Sequence, residues 1–339
     1  MKCLYCVFMC LALLGCDGVI GGLQGNTQQT VIRISHSHQA RDDSEIHVAA
    51  SRVAEYVESR SDDIKVRVYA NNSLGQEREV YEGMQLGAGA ACSISGTAIL
   101  ANFNPRLGAL DLPFLWRDYD HIHRALDGAV GDQLREELRK AGFEVLAWMD
   151  SWGRRNVVTT SKDVREPEEL KGLKLRTIPA PSYILAMQTM GVNPTPMAFG
   201  EIYTSLENGV IDGFEHTPST VLSNRFYEVT DYLIRTNHLF GPIVMVCSRD
   251  KWQQLSEPQR QLLLAAAKDA ATFVRQQAPI KEQQAIAALQ RQGMTVRELD
   301  TREFVGTAVG VHKLFAEKYH ASDLIEAIGA VTPTSEVEI

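Results

Sequence analysis

The sequence predicts an α/β fold, in which short β-strands alternate with amphipathic helices. The first predicted strand, at residues 31–34, is followed by Ile46, Ala49, Ala50, Val53 and Val57, whose spacing places them on one face of a helix. Residues 65–69 then alternate between polar and apolar side chains with the period of two that is typical of a half-buried strand. A chain of 339 residues corresponds to roughly two domains of ordinary size.

Strands and helices continue to alternate along the chain. Further strands are predicted at residues 91–94, 144–148, 157–160, 173–176, 210–212 and 243–248. Helices are predicted where Leu126, Val130, Leu134 and Leu138 form one stripe, from Ser182 to Gly191, at 201–208, and at 259–291 with a kink near Pro279. Residues 193–197 (NPTPM) are predicted to form a stiff loop, because proline restricts itself and the residue before it. Since helices separate the strands, we expect parallel strands.

The composition excludes two classes of protein. Acidic residues outnumber basic ones by 42 to 34, and no segment has the local excess of Lys and Arg that a nucleic-acid-binding surface needs. Because 45% of the residues are hydrophobic, the chain is also unlike a disordered protein. The sequence therefore predicts a folded protein with no nucleic-acid partner.

The familiar catalytic and cofactor motifs do not occur in the sequence. It contains no Walker A, Gly-x-Ser-x-Gly or His-Glu-x-x-His pattern. Residues 87–92 (GAGAAC) begin like a dinucleotide fingerprint, but a cysteine replaces the third glycine and a strand follows where a helix should begin. We therefore expect neither a nucleotide nor another cofactor.

The histidines are arranged in a way that argues against a metal site. His36 and His38 flank one residue, His47 follows on a predicted helix, and His121 and His123 form a second pair. A zinc ion needs three or four ligands that converge on one point, and these spacings do not bring so many together. We expect loop and surface histidines, with His36 lining a cleft, and no metal.

The N-terminal segment is predicted to be a targeting signal. Lys2 precedes an apolar run that is too short to cross about 30 Å of hydrocarbon, so residues 1–15 resemble a secretory signal. Residues 13–16 (LLGC) resemble a bacterial lipobox, in which Cys16 is lipidated; the alternative is an ordinary cleaved signal. Residues 16–29 are predicted to be a flexible tether because they are rich in Gly, Gln, Asn and Thr.

The cysteines are concentrated at the same end of the chain. Of the six, four lie within the first sixteen residues, and only Cys92 and Cys247 belong to the part that is predicted to fold. A disulfide framework would place its cysteines throughout the fold. We therefore expect that disulfides do not hold the fold together.

Nine short motifs resemble those of the solute-binding proteins of tripartite ATP-independent periplasmic (TRAP) transporters, the DctP family, and they occur in the family's order. They cover most of the mature chain, and their number and order make chance agreement improbable. They are NSLGQERE (72–79), NFNP (102–105), LPFL (112–115), LDG (126–128), LKGLKLR (170–176), GVNPTPMAF (191–199), EIYTSL (201–206), GVIDG (209–213) and FYEV (226–229).

The resemblance implies a two-domain fold like that of periplasmic binding proteins, with a hinged cleft, crossing strands and a long C-terminal helix. The first domain would comprise residues 30–153 and 242–281, the second residues 154–241 and 282–330, and a tail residues 331–339. It also implies a monomeric periplasmic receptor, which captures a carboxylate-bearing solute in the cleft and delivers it to membrane permease subunits. A lipidated Cys16 followed by Asp17 resembles lipoproteins that remain on the inner membrane.

Two arginines match the family's ligand-binding positions. Arg176 ends the LKGLKLR motif, where the family's arginine pairs with the ligand carboxylate. The planar guanidinium of arginine matches a carboxylate with two parallel hydrogen bonds, which the ammonium of lysine cannot do. Arg155 matches a second family arginine; the alternative for Arg155 is a structural ion pair with a nearby carboxylate.

Other candidate ligand contacts surround these arginines. His216 stands where many family members have a ligand-binding asparagine, and it keeps a hydrogen-bonding group there. Glu77 would accept hydrogen bonds from ligand hydroxyls, although it also suits an exposed first helical turn. Trp152 could stack on an apolar face of the ligand; the alternative is a core side chain. Ser95, in the strand-end loop 93–97, and Phe199, after the Pro-Thr-Pro turn, are further candidates to line the cleft.

Two other functions remain open from the sequence. A periplasmic enzyme could act on an organic acid with Glu77 and His216 as acid and base, and a sensory receptor could present its liganded form to a signalling partner. We favour a non-catalytic receptor. Among its possible ligands we rank sugar acids such as hexuronates slightly ahead of dicarboxylates, because Glu77 and His216 suit hydroxyl groups.

Overall fold

The computed structural model describes residues 29–149 and 152–332. The predicted signal 1–15, the lipobox Cys16, the tether up to residue 28 and most of the 331–339 tail lie outside the described residues. Within the two described ranges, no helix combines the length and the apolar character that crossing a membrane requires.

The described chain forms a mixed α/β structure around two β-sheets, which confirms the predicted fold class. Its strands are β1 (Thr30–Ser35), β2 (Ile64–Tyr69), β3 (Cys92–Gly96), β4 (Phe143–Trp148), β5 (Arg154–Thr159), β6 (Lys174–Thr177), β7 (Asn193–Pro196), β8 (Gly213–His216), β9 (Tyr232–Phe240), β10 (Ile243–Ser248) and β11 (Thr295–Glu298). The first sheet has the strand order β2–β1–β3–β10–β4, and the second has the order β11–β9–β5–β8–β6–β7.

The helices cover both sheets and connect most of the strands. They are α1 (Glu45–Glu58), α2 (Glu77–Gln85), α3 (Thr97–Leu100), α4 (Tyr119–Asp127), α5 (Ala129–Lys140), α6 (Pro181–Thr189), α7 (Ile202–Glu207), α8 (Pro218–Ser223), α9 (Arg249–Gln253), α10 (Glu257–Arg291), α11 (Arg302–Tyr319) and α12 (Ser322–Gly329). In α1, all five residues of the predicted apolar face are buried, because that face packs on the first sheet.

The expectation of parallel strands is wrong for two strands. β1 is parallel to β2 and β3, but β10 is antiparallel to β3 and β4, and β5 is antiparallel to β8 and β9. The physical reason lies in the connections. β9 leads to β10 through Gly241 and Pro242 alone, so the chain passes between the sheets without a helical crossover and enters the first sheet in the opposite direction.

Three smaller predictions also need correction. The stripe from Leu126 to Leu138 belongs to two helices, because Gly128 between α4 and α5 has an extended conformation. Residues 193–196 form strand β7 and not a loop, since an edge strand tolerates prolines that leave one side without N–H donors. The predicted strand 210–212 is displaced to 213–216, where Gly213 allows the close approach of Val158 in β5.

Helix α10 connects the cores of the two sheets. Its 35 residues span about 52 Å at 1.5 Å per residue. Leu263 near its start packs in the core of the first sheet, and Leu289 near its end packs in a core of the second. The helix continues through Pro279, which was the predicted site of a kink.

Cys92 and Cys247 form a disulfide between β3 and β10, so the expectation that disulfides do not hold the fold is wrong for this pair. The two residues are direct partners in the register of these antiparallel strands. They are 155 residues apart in sequence, which conceals their proximity. The bond ties the strand that returns from the second sheet to the centre of the first.

Candidate functional site

A cavity of about 10 Å³ lies where the two sheets face each other. Both sheets contribute to it, since α2 and the end of β3 form one wall while β6, β8 and the segment before β5 form the other. The lining residues are Ser37, Glu77, Ser95, Gly96, Ala98, Ile99, Trp152, Arg176, Ile178, Phe199 and His216. A volume of this size corresponds to roughly one water molecule, so a larger ligand requires the two walls to separate.

Arg176 in β6 provides the cation of the cavity. Its side chain is 2% exposed, and its Nε donates a hydrogen bond of 3.0 Å to the carbonyl oxygen of Met197. Its Nη1 is buried and has no hydrogen-bond partner among the described residues. Burial lowers the pKa of Arg176 to about 10, which still leaves the guanidinium charged at neutral pH. Arg176 is therefore a fixed, desolvated cation with an unused donor.

Arg155 in β5 forms a buried salt bridge with Glu215 in the neighbouring strand β8. Its Nε and Nη2 donate to the two carboxylate oxygens over 2.5 and 2.9 Å, and both side chains are 0% exposed. Burial lowers the pKa of Arg155, but the charge and hydrogen bond of Glu215, together with the charges of Tyr183 and Asp111, outweigh this and the net shift is upward. This is the structural pairing that was the alternative for Arg155. Its Nη1 still has no partner in the described chain.

Glu77, the first residue of α2, faces the cavity from the first sheet's side. It accepts a hydrogen bond from the hydroxyl of Ser95, and the Ser37 hydroxyl is a second donor to it. Burial raises the pKa of the Glu77 carboxyl, which disfavours its charged form. This wall therefore carries hydroxyl groups and a carboxyl that resists ionisation.

Asp111 lies behind the cavity, at the border of the two walls. Its carboxyl accepts hydrogen bonds from the Thr97 hydroxyl over 2.9 Å and from the Tyr183 hydroxyl in α6 over 3.3 Å. Burial raises the pKa of Asp111 to about 7. The first sheet's side thus holds two carboxyl groups with raised pKa values.

His216 ends β8 and is buried in the cavity wall. Its Nδ1 accepts a hydrogen bond of 2.9 Å from the backbone N–H of Thr217. Burial and the charge of Arg155 hold the pKa of His216 well below its usual range, so its ring is neutral at neutral pH. A neutral ring offers a hydrogen bond and no charge to a ligand.

The expectation of surface histidines is wrong for His38, which is 1% exposed, and His36, which was expected to line a cleft, is buried to the same extent. His36 hydrogen-bonds His47 over 3.1 Å, and burial lowers its pKa to about 4. His38 stacks on Phe199 with ring centroids 4.8 Å apart. Neither ring nitrogen of His38 has a partner among the described residues. His38 is buried because Phe199 of the opposite wall covers it.

His121 is also buried and not at the surface. Its ring packs edge-on against Trp116, and its Nε2 lies 2.8 Å from the carbonyl oxygen of Ile328. This contact joins α4 to α12, a helix that is distant from α4 in sequence. Among the described residues, no group of three or more His, Cys, Asp or Glu side chains is placed to hold a metal ion.

The aromatic side chains close the cavity. The ring of Trp152 lies 4.8 Å from that of His216 and 5.1 Å from the Arg155 guanidinium. A Cβ atom on Gly96 would lie 2.5 Å from this indole, so glycine is required for the indole to reach the cavity. The Nε1 of Trp152 is buried with no partner in the described chain. The indole therefore offers both an apolar face and a free donor.

Six of the eight predicted ligand residues meet at the cavity, namely Arg176, His216, Glu77, Trp152, Ser95 and Phe199. Arg155 and His36 lie behind its walls, and their predicted role as ligand contacts stays a prediction. Sequence reasoning missed Ser37, Ala98, Ile99 and Ile178. Ser37 follows the end of the parallel strand β1, a position where ligands of α/β proteins commonly bind, and this signal could have identified it.

The bacterial extracellular solute-binding protein family 7, or DctP, matches residues 36–318. The chain belongs to this family. Its resemblance to TRAP solute-binding proteins is thereby confirmed. The family-7 fold explains the two sheets, the crossing connections and the long helix as parts of one known architecture.

Similar proteins of this family bind acids. The 2,3-diketo-L-gulonate-binding periplasmic protein YiaO of Escherichia coli (strain K12) is 34% identical over 84% of this chain and 88% of its own length. A TRAP solute-binding protein of Polaromonas sp. JS666 with bound D-erythronate is 31% identical, with a TM-score of 0.85 over 90% of this chain and 100% of that chain. A TRAP solute-binding protein of Bradyrhizobium with bound galacturonate is 31% identical, with a TM-score of 0.83 over 88% and 99% of the two chains.

Proposed function

We propose that this protein is the extracytoplasmic receptor of a TRAP transporter and that it binds a sugar acid between its two sheets. The observation that carries the proposal is Arg176, a buried guanidinium whose Nη1 has no acceptor among the described residues. A desolvated cation with an unused donor is costly to bury unless a ligand supplies an anion. A ligand carboxylate meets this requirement.

The remaining groups favour hydroxyls over a second carboxylate. Of the side chains that line the cavity, Arg176 is the one cation, while Ser37, Ser95 and His216 are neutral. A second carboxylate would find no second cation there, because the lining opposite Arg176 consists of the Glu77 carboxyl, the hydroxyls of Ser37 and Ser95 and apolar groups. A monocarboxylate with several hydroxyls, such as a hexuronate or an aldonate, fits this set better than a dicarboxylate.

We assign the contacts as follows. Arg176 binds the carboxylate, and Glu77, Ser95 and His216 exchange hydrogen bonds with hydroxyls. Trp152 and Phe199 cover the apolar face of the sugar. Arg155 contacts the ligand through its Nη1 while its pair with Glu215 holds it in position. This arrangement retains the predicted roles of these seven residues and adds the ion pair as a support, while His36 receives no contact.

Release and capture require the walls to separate, since the closed cavity is smaller than a sugar acid. We propose that residues 30–153 with 242–281 move as one domain against residues 154–241 with 282–330. The connection at Gly241 and Pro242 would act as part of the hinge, together with α10. The closed, liganded monomer would then deliver its cargo to the membrane permease subunits.

We also propose that Cys16 is lipidated and anchors the receptor to the inner membrane. The support is the LLGC sequence at residues 13–16 together with Asp17. Metabolic labelling with a tagged fatty acid should label the wild-type protein and not the Cys16→Ala variant. Equal labelling of both proteins would contradict the anchor.

The ligand assignment is tested by thermal shift and calorimetry. Glucuronate, galacturonate, gluconate and succinate are each added to the purified protein. A ligand at a hundred times its dissociation constant should add about 2.7 kcal/mol of stability. At least one of the three sugar acids should bind more tightly than succinate; a preference for succinate would contradict the proposal. The same mixtures are examined for consumed ligand, because turnover would support an enzyme and contradict a receptor.

A further inference from the structure

A second pocket, which we call the outer pocket, lies directly outside the cavity and measures about 360 Å³. The two share Ser37 and Phe199 as lining residues, so they are separated by little more than the Phe199 ring. The outer pocket is also lined by Gln39, Asn71, Tyr203, Asn224 and Phe226. Its volume lies in the range of small-molecule binding sites, in contrast to that of the closed cavity.

The outer pocket is lined by groups that suit a carbohydrate. Gln39, Asn71 and Asn224 are carboxamides. Gln39 and Asn71 offer both donors and an acceptor, the combination that a hydroxyl group also requires. Asn224 offers its Oδ1 as an acceptor, because its Nδ2 donates to the carbonyl oxygen of Thr220 and to Ser223 Oγ, each over 3.2 Å. The rings of Tyr203 and Phe226, with centroids 6.4 Å apart, provide apolar surface for the C–H face of a sugar.

Two more carboxamides stand beside the outer pocket at Gly200. A Cβ atom on Gly200 would lie 3.0 Å from Gln76 Nε2 and 3.1 Å from Asn72 Nδ2. These amides come from the first sheet's side, whereas Gly200 precedes α7 on the second. The polar surface of the outer pocket therefore continues across both walls, as the cavity does.

The backbone connects the rim of the outer pocket to the cavity. Asn71 and Asn72 have φ values of 55° and 56°, in the left-handed region that asparagine tolerates better than most residues. Their N–H groups donate to the carbonyl oxygens of His38 and His36 over 2.8 and 3.2 Å. The loop that carries the carboxamides is thus fixed to the segment that contains Ser37.

The outer pocket has no uncompensated charge. Its one cation, Arg225, forms an ion pair with Glu228, which also accepts a hydrogen bond of 3.1 Å from the Tyr203 hydroxyl. The cavity, by contrast, contains the guanidinium of Arg176, whose Nη1 has no partner among the described residues. A ligand that fills both sites would therefore place its charge inside and an uncharged polar group outside.

We propose that the outer pocket is a second sugar subsite and that the receptor accepts an acidic disaccharide. The acidic residue lies in the cavity with its carboxylate on Arg176, and the second, uncharged sugar ring lies between the carboxamides and the Tyr203 ring. A rotation of the Phe199 side chain, which is 9% exposed, joins the two sites. This inference rests on the proposed function, because it assumes that a sugar acid occupies the cavity.

The test compares two acids with their disaccharides by calorimetry. Gluconate is compared with lactobionate, in which galactose is attached to gluconate, and glucuronate is compared with a glucuronate–xylose disaccharide. We expect at least one disaccharide to bind about tenfold more tightly than its monosaccharide, which corresponds to about 1.4 kcal/mol of extra contacts. Weaker binding of the disaccharide in both pairs would overturn the inference.

Two variants locate the effect in the outer pocket. Asn71→Gly removes a carboxamide while glycine keeps the positive φ, and Tyr203→Ala removes the aromatic face. Each should weaken disaccharide binding about tenfold and leave the monosaccharide unchanged. Tyr56→Ala, on α1 and outside both sites, is the control and should change neither.

The outcomes separate this inference from the proposed function. If the variants weaken the monosaccharide and the disaccharide equally, the outer pocket is not a separate subsite and the inference fails while the receptor function stands. If no acid binds, single or double, the proposed function fails and the inference fails with it.

Discussion

The two sheets connect their inner strands by different chemistry. In the first sheet, the disulfide Cys92–Cys247 joins β3 to β10. In the second, the buried salt bridge between Arg155 and Glu215 joins β5 to β8. One link is covalent and uncharged, whereas the other places two charges in a dry interior, where both must be satisfied.

The same difference extends to the cavity walls. The first sheet's side presents hydroxyls and the carboxyl groups of Glu77 and Asp111, whose pKa values burial raises. The second sheet's side presents the cation Arg176, with the ion pair of Arg155 behind it. In the proposed assignment, Arg176 of the second wall binds the carboxylate, while Glu77 and Ser95 of the first wall bind hydroxyls together with His216 of the second. A sugar acid would then contact both walls only when they close.

The largest expected effect comes from Arg176, the cation of the second wall. Arg176→Ala should weaken binding of the best sugar acid about 30- to 5000-fold, because removing one partner of a buried charge pair costs about 2–5 kcal/mol. Lys174→Ala changes an exposed residue of the same strand and should leave the affinity unchanged. Calorimetry measures both. If the Arg176→Ala variant bound the sugar acid as tightly as wild type, Arg176 would not be the residue that binds the ligand carboxylate.

The next effect tests the ion pair that supports that wall. Glu215→Gln leaves the Arg155 guanidinium buried without a counter-charge and should lower the free energy of unfolding by about 3–5 kcal/mol. Denaturant unfolding measures the loss. Replacing both residues, Arg155→Met with Glu215→Leu, should restore most of the stability, since it buries no charge.

The double variant also separates the two roles of Arg155. If Arg155 contacts the ligand through its Nη1, the stable double variant should still bind the sugar acid more weakly than wild type. Unchanged affinity would show that the Arg155–Glu215 pair only stabilises the fold and that Arg155 does not contact the ligand.

The covalent link of the first sheet should affect stability and not recognition. Replacing both cysteines, Cys92→Ala with Cys247→Ala, opens a loop of 155 residues and should lower the free energy of unfolding by about 2–5 kcal/mol. Sugar-acid affinity should stay at the wild-type value, because neither cysteine lines the cavity. A large loss of affinity would mean that the disulfide sets the shape of the first wall.

Local patterns predicted much of this molecule. The apolar face of α1 was predicted because helical periodicity is a property of neighbouring residues. Arg176, Glu77 and His216 were singled out by motifs, and the structure brings all three to one cavity. Whether they bind a ligand is what the variants test.

The failures share a physical cause, which is contact between distant parts of the chain. Cys92 finds Cys247 because β10 returns from the second sheet, and the burial of His38 depends on Phe199 from the opposite wall. The directions of β5 and β10 likewise depend on crossings that contain no helix. The spacing of apolar residues within one segment contains no information about such contacts.

The smallest effect concerns Asp111, whose carboxyl meets Tyr183 where the two walls join. With a pKa of about 7 in the folded protein, Asp111 keeps a proton that the unfolded chain, with a pKa near 4, has already released. Stability from this group is therefore complete at low pH and falls as the pH rises towards 7. Between about pH 5 and pH 7 the loss should be about 2 kcal/mol. Asp111→Asn should remove this contribution to the pH dependence, whereas Asp62→Asn, at an exposed site, should keep it. If stability changed with pH in the same way in wild type and in Asp111→Asn, Asp111 would already be ionised and the first wall would carry a negative charge.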